Sequence, residues 1–346
     1  MRTRIAVVSL LFATLPHLAA AQAVPLLDLD RICGVRDCAE IGLFWHQDLE
    51  AAKRQALAEG KPILSLRLLG RLDEEFSCAN SRYFRTVYYR NREISQLLRE
   101  RFVLHWKSVR PVPKVTIDFG DGRRLERTLT GNSIHYVLDS RGRLVDALPG
   151  LSGPDAFKKA LVEAERGARI AMMQSDGELA WWRAERYGRQ LVVRARTIPE
   201  APRNADRLAV SKSAGEGSIL RALDEITDEQ IRDIAESRRK DILLDEESRA
   251  FLLFKHGVTD PAEAKRLVDA FEATLAQDEV INEYRTGPAI LRELSDPEKN
   301  KGLDLEAFNE WVYAEVFLAP LSDPWMGLAP EDVYVALPAS TRTAQP

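Results

Sequence analysis

Cys78 is the residue in this chain best placed to do chemistry, and Ser81 follows it by three. The four residues Cys78-Ala79-Asn80-Ser81 lie between an apolar run, Ile63 to Leu69, and an aromatic-rich helical pattern, Ser81 to Leu98. A cysteine at the start of a helix meets unpaired backbone N–H groups and the positive end of the helix dipole, and both favour the thiolate. Arg71 and Arg82 add positive charge nearby, while Asp73, Glu74 and Glu75 oppose it. Ser81, one turn on, can offer a hydrogen bond to the sulfur but no second thiol. A lone thiol that attacks a disulfide stays in the mixed disulfide until a third thiol releases it. The opposing reading is that Cys78 is a small buried hydrophobe, as free cysteines often are.

The other two cysteines, Cys33 and Cys38, are separated by Gly34-Val35-Arg36-Asp37, a segment short enough to turn at Gly34. A local Cys33–Cys38 disulfide leaves Cys78 free; pairing of either with Cys78 is the alternative. The start of the chain reads as a secretory signal over residues 1–23. Arg2 and Arg4 precede an apolar run from Ile5 to Leu15, and Ala21-Gln22-Ala23 fits a cleavage site. That places the expected protein in the periplasm or outside the cell, where disulfides persist. No later window is long and apolar enough to span a bilayer. Without residues 1–23 the chain carries 47 basic and 53 acidic side chains, a formal charge of −6 with histidine neutral. Such a mild balance argues against a nucleic-acid binder, which concentrates basic charge.

The surrounding elements are readable. Asp48 to Glu59 has a helical apolar face (Leu49, Ala52, Ala56, Leu57) and stops at Gly60-Lys61-Pro62. Ile63 to Leu69 is a buried strand. After the cysteine, helical patterns carry Tyr83, Phe84, Val87 and Tyr88, then Ile94, Leu97 and Leu98, and Phe102 to Val109 is a strand. Lys114–Phe119 and Arg124–Leu129 flank Gly120-Asp121-Gly122-Arg123, a hairpin signal. Asp118-Phe119-Gly120 matches a kinase triplet by chance, since no glycine-rich or catalytic loop accompanies it. Ser133–Asp139 and Arg143–Leu148 form a second hairpin, and Asp155–Arg166 closes this half as a helix.

This order is similar to the thioredoxin-like superfamily, particularly its exported branch. The resemblance rests on Lys61-Pro62-Ile63-Leu64, Cys78, Tyr89, Ile94 and Phe102-Val103, whose spacing matches without a gap, and covers roughly residues 40–165. It implies a central mixed sheet flanked by helices over 24–166, with Cys78 as the nucleophilic cysteine and an inserted hairpin at Asp121-Gly122. Ser81 stands where the family has its resolving cysteine, and Ser133 where it has a cis-proline beside the sulfur. By the same resemblance the partner is a protein or small-molecule thiol or disulfide, resolved by Cys33, Cys38 or an external thiol. The two serine departures favour a second reading, a non-catalytic scaffold that binds a protein in the cell envelope.

No cofactor motif is present, and no cofactor is expected. His46, His105 and His135 lack ligand spacing, and strand packing is the simpler reading for the last two. The basic cluster Arg82, Arg85, Arg90, Arg92, Arg99 and Arg101 is interleaved with Tyr83, Phe84, Tyr88 and Tyr89. It reads as a solvated helix face broken by Glu93 and Glu100, with an anionic partner as the sharper alternative.

From 167 to 346 the pattern turns α-helical: Asp176–Arg196, a helix opened by Thr227 and Gln230, then Glu246–Lys255, Pro261–Gln277 and Leu305–Phe317. Asp245, Asp260 and Asp304 stand at capping positions. Pro199–Gly217 is a loop or linker. Asp296–Asp304 approaches a calcium loop but fails its register. Trp325, in an irregular tail, is expected to pack back on the helices.

Overall fold

A computed structural model describes residues 42–74, 77–128, 132–198 and 226–324. Cys33, Cys38, the signal-like start, the 199–217 linker and Trp325 lie outside the described residues. Strand β2 (Ile63–Leu69) is buried at every position, because it runs centrally with helices over both faces. It pairs in parallel with β3 (Val103–Arg110), which pairs in parallel with the short β1 (Trp45–His46). On its other side β2 pairs antiparallel with β6 (Ser133–Leu138), and β6 with β7 (Leu144–Pro149). The mixed sheet therefore has the order β1-β3-β2-β6-β7.

Local chemistry sets the helix ends. Helix α1 (Leu49–Glu59) starts where the Asp48 carboxylate accepts from the backbone N–H of Glu50 and Ala51, and ends at Gly60, whose φ of 64° suits glycine. Helix α2 (Ala79–Tyr83) runs on as the π turn π1 (Phe84–Tyr88), and Asn91 caps α3 (Arg92–Arg101). The hairpin β4 (Lys114–Asp118) and β5 (Arg124–Thr128) forms its own two-stranded sheet, largely exposed. Helix α4 (Pro154–Ala171) runs past the expected end at Arg166, since Ala168 and Ala171 continue its buried stripe.

The helical half follows as α5 (Asp176–Thr197), α6 (Asp228–Arg238), α7 (Glu246–His256), α8 (Pro261–Ile281), π2 (Asn282–Thr286), α9 (Gly287–Leu294), α10 (Leu305–Trp311) and π3 (Val312–Val316). Capping boxes at Ser175/Glu178 and Thr227/Gln230 open α5 and α6. Helix α9 is not among the elements read from the sequence. Proline fits here as it follows a π turn at the first helical positions, where an N–H is dispensable. The two halves share one continuous apolar core from Leu43 to Ala319. Among the described residues no helix is long and apolar enough to cross a membrane.

The edge strand β7 is already blunted against further pairing. The Arg183 guanidinium donates to the Leu144 carbonyl (3.0 Å) and the Tyr187 hydroxyl to the Val145 carbonyl. The Ala147 N–H donates to the Asp146 carboxylate (2.8 Å), and Pro149 has no N–H to offer.

Candidate functional site

Cys78 sits directly before α2, with its backbone N–H donating to the Leu69 carbonyl at the end of β2 (3.2 Å). Strand β2 thus delivers the sulfur to the helix start. The thiol is free of any disulfide and has no solvent exposure. The Ser133 hydroxyl, at the first residue of β6, lies 3.6 Å from the sulfur. Ser133 is therefore beside Cys78.

Ser81 takes a different part from the one expected. Its hydroxyl donates to the Ser77 hydroxyl and lies 3.3 Å from the Cys78 carbonyl oxygen, so its bonds run to the backbone side of the cysteine and not to the sulfur. Arg85, 4% exposed, donates to the same Ser77 hydroxyl (3.0 Å). Arg71 is engaged by Asp73 at 2.6 and 2.8 Å, and Arg82 reaches Thr128 (3.3 Å). The charges that the sequence set around the cysteine are therefore mostly spent on other partners.

Two buried phenols lie within electrostatic reach of Cys78. Burial is the main cause holding both Tyr89 and Tyr313 well above the usual tyrosine range, and Cys78 adds to it. Tyr313 comes from π3, far along the chain, and its hydroxyl donates to the Asn132 carbonyl (3.2 Å), one residue before Ser133. The Asn132 side chain donates in turn to the Phe317 carbonyl (3.3 Å). No local pattern signals Tyr313; only the packing of the helical half brings it here.

That packing is anchored on β2 and its neighbours. Arg67 is fully buried and donates to Ser65 (2.6 Å) and to Glu306 on α10 (2.8 Å). Lys107 holds the other Glu306 oxygen at 2.9 Å, and the Tyr136 hydroxyl donates to Asn309 (3.1 Å). Ser65 is also 2.8 Å from Nδ1 of His105. Burial first, and the Arg67 charge second, lower His105 to about 3, so it is uncharged at neutral pH.

His135 is fully buried and lowered to about 3 by burial, with Nε2 2.9 Å from the Tyr89 hydroxyl and no partner at Nδ1. His105 aligns with Ser65 and His135 with Leu66, neighbouring residues of β2 that face opposite sides of the sheet. Both are strand histidines packed in the core, and His46 bonds to Gln55 (2.6 Å). Among the described residues no group of three or more His, Cys, Asp or Glu side chains is placed to hold a metal ion.

A cavity of about 240 Å³ lies close to the thiol, walled by Asn80, Asn132, Asp278, Asn282, Thr286 and Phe317. Burial pushes Asp278 up to about 6. A larger one of about 620 Å³ lies between the β7 edge, α4, α5 and α8, and shares Gly150 and Asn282 with the first. Asn282 fixes the wall between them by donating to the Leu151 carbonyl (2.5 Å).

The site is thus an enclosed single thiol with a hydroxyl at its side and a buried phenol within electrostatic reach, in a five-stranded mixed sheet wrapped by helices. Neither the protein-family models nor the curated proteins include a match to this chain.

Proposed function

We propose that this protein is a thioredoxin-like scaffold acting as a protein-binding module in the cell envelope, with Cys78 serving as a packing residue. The observation that carries this reading is the complete burial of Cys78 beside Tyr313. A sulfur that must attack a client disulfide needs a path to it. The thioredoxin-like reading itself is supported by the mixed sheet flanked by helices and by Ser133 beside the sulfur, at the position of the family's proline. The signal-like start supports the envelope.

A second reading, the single reactive thiol, is favoured by the place of Cys78 at the helix start next to a hydroxyl. There the Cys78 thiolate attacks a disulfide sulfur, forms a mixed disulfide and expels the other sulfur as thiolate. Cys78→Ala separates the two readings. The binding module keeps its cellular phenotype in the variant, and the wild-type protein isolated by alkylation before reduction carries no adduct at Cys78. Loss of phenotype in Cys78→Ala with the fold intact, or a client disulfide-linked to Cys78, sinks the scaffold reading.

A further inference from the structure

The last turn of α8 and the π turn after it carry a polar side chain at every fourth residue: Asp278, Asn282 and Thr286. Residues four apart share a helix face, and these three line the cavity of about 240 Å³ close to the thiol. Other parts of its wall come from segments that the sheet gathers. Asn132 directly precedes β6, Gly150 directly follows β7, and Asn80 lies in α2. Glycine suits position 150 on two counts: its φ is +60°, and a Cβ there would lie 2.7 Å from the Asn282 amide. All of the lining residues are half-buried, so the cavity opens to solvent.

The cavity holds one charge. Asp278 is the only ionisable side chain that lines it, and no lysine, arginine or histidine does. Among the described residues nothing donates to the Asp278 carboxylate or pairs with it, and burial alone raises it. The half-buried acids that follow on the same segment are partnered. Glu279 accepts from the Gly153 N–H (2.5 Å), and Glu283 pairs with Arg238. The remaining polar groups of the cavity are acceptors. The Asn132 and Asn282 amide nitrogens donate to the carbonyls of Phe317 (3.3 Å) and Leu151 (2.5 Å). Among the described residues no donor reaches the oxygen of either amide. Ile281, Val316 and Phe317 add an apolar part to the wall.

We propose that this cavity binds a primary ammonium group, carried by a small amine or by a lysine side chain of a partner protein. A carboxylate held out of water without a partner is costly, and an ammonium supplies the partner. Its three N–H donors match the Asp278 carboxylate, the two amide oxygens and the Thr286 hydroxyl. The carbon chain behind it has the apolar wall to lie on. An anion would meet no cation here. A bare metal ion fits less well, because the space far exceeds one ion and a single carboxylate is a poor set for a hard cation. The site does not rest on the role of Cys78. A client disulfide-linked to Cys78 would sink the scaffold reading and leave the ammonium site standing, and failure of amine binding would do the reverse.

The test is a ligand-observed NMR titration of the full-length protein at about pH 7.5, where a carboxyl held near 6 is ionised. The probes are n-butylammonium and its neutral isostere n-butanol, and acetyl-lysine methylamide with its side-chain-acetylated counterpart. At least one ammonium probe saturates, and its neutral counterpart binds at least about tenfold more weakly. Tighter binding of the lysine probe names a protein side chain as the source; tighter binding of butylammonium names a free amine. Asp278→Asn lowers the affinity at least about tenfold. It keeps the side-chain shape and removes a charge that burial disfavours, so the melting temperature does not fall. Should the variant misfold, the wild-type comparison of butylammonium with butanol decides alone. The proposal is overturned if no ammonium probe saturates below about 20 mM, if butanol binds as well as butylammonium, or if Asp278→Asn binds unchanged. Displacement of the amine by calcium ion at equal concentration overturns it too, in favour of a metal site.

Discussion

Acidification should unfold this protein through its two core histidines. His135 lies between Phe84 (centroids 4.5 Å) and Phe157 (5.2 Å), and burial lowers it to about 3. His105, held between Ser65 and Arg67, is lowered to about 3 by burial and then by the Arg67 charge. In the unfolded chain both titrate near about 6.5. Between these values the unfolded state binds more protons, so stability is full above the unfolded value and is lost as the pH falls from about 6.5 towards 3. At about pH 5 each histidine has removed about 2 kcal/mol, since one pKa unit is worth about 1.4. The two together remove ~4 kcal/mol from a total that for most domains is 5–15 kcal/mol. Asp278, raised to about 6 by burial, works the other way and returns ~1 kcal/mol over the same range. Urea unfolding followed by circular dichroism at about pH 7, 6 and 5 measures the slope. His135→Phe, which keeps the aromatic contacts, should reduce the slope by about 1.4 kcal/mol per pH unit, and His105→Gln likewise. Carboxylates common to all three proteins cancel in the comparison. Parallel pH dependences for wild type and His135→Phe would refute the argument.

Glu306→Gln should lower stability by ~2 kcal/mol by calorimetry, because Arg67 stays buried without its carboxylate while solvent reaches half of the Glu306 side chain. An unchanged melting temperature would mean that Arg67 is satisfied elsewhere. Asp304→Ala removes the side chain that accepts from the Ala307 N–H (2.8 Å) and should cost ~1 kcal/mol in urea unfolding, against no change if α10 is held by packing alone. Gly60→Ala meets no atom within 4 Å, so its expected loss of ~1 kcal/mol comes from φ +64° alone; a stabilised variant would disprove that account.

What was readable in the sequence is what neighbours in the chain decide. Thr227, Asp245, Asp260 and Asp304 each bond a backbone N–H a turn or less away, and all four cap helices as expected; Asp48, read as the first residue of its helix, is a cap as well. The Asp-Gly hairpin and the alternation from Ser133 to Leu148 are equally local. Contacts between distant segments were not readable. Ser81 looked like the partner of the sulfur because it is one turn away, but it donates instead to Ser77, which Arg85 also holds, and Ser133 fills the place. The arginine cluster looked like one solvated face. The fold buries Arg85, pairs Arg101 with Glu165 (3.6 Å), and sends Arg90, Arg92 and Arg99 to meet α7. Glu93 and Glu100, the acids that broke the pattern, do not line the groove formed there. The π turns are invisible to a period of 3.6, and two of them border the cavity near the thiol.

The helical half decides what Cys78 can do. Segment 305–317 is tied to the sheet by Arg67–Glu306, Lys107–Glu306, Tyr136–Asn309 and Tyr313–Asn132, and it buries Phe308, Val312 and Tyr313. Freeing the thiol by peeling this segment away breaks those bonds, each worth about 1 kcal/mol net, and exposes three large side chains worth about 1.5–3 kcal/mol each. Even with half of this recovered as chain entropy, opening costs roughly 4–6 kcal/mol, so the thiol is exposed less than about one part in a thousand. Cys78 in the native protein should therefore react with iodoacetamide at least ~1,000-fold more slowly than a free cysteine, and at the free rate in strong denaturant. Glu306→Gln loosens the same segment and should speed the native reaction about tenfold for each 1.4 kcal/mol it removes from the opening step. Native alkylation within about tenfold of the free rate would show that the segment does not hold at this corner. The burial that argues for a scaffold would then lose its force, and the single-thiol reading would take its place.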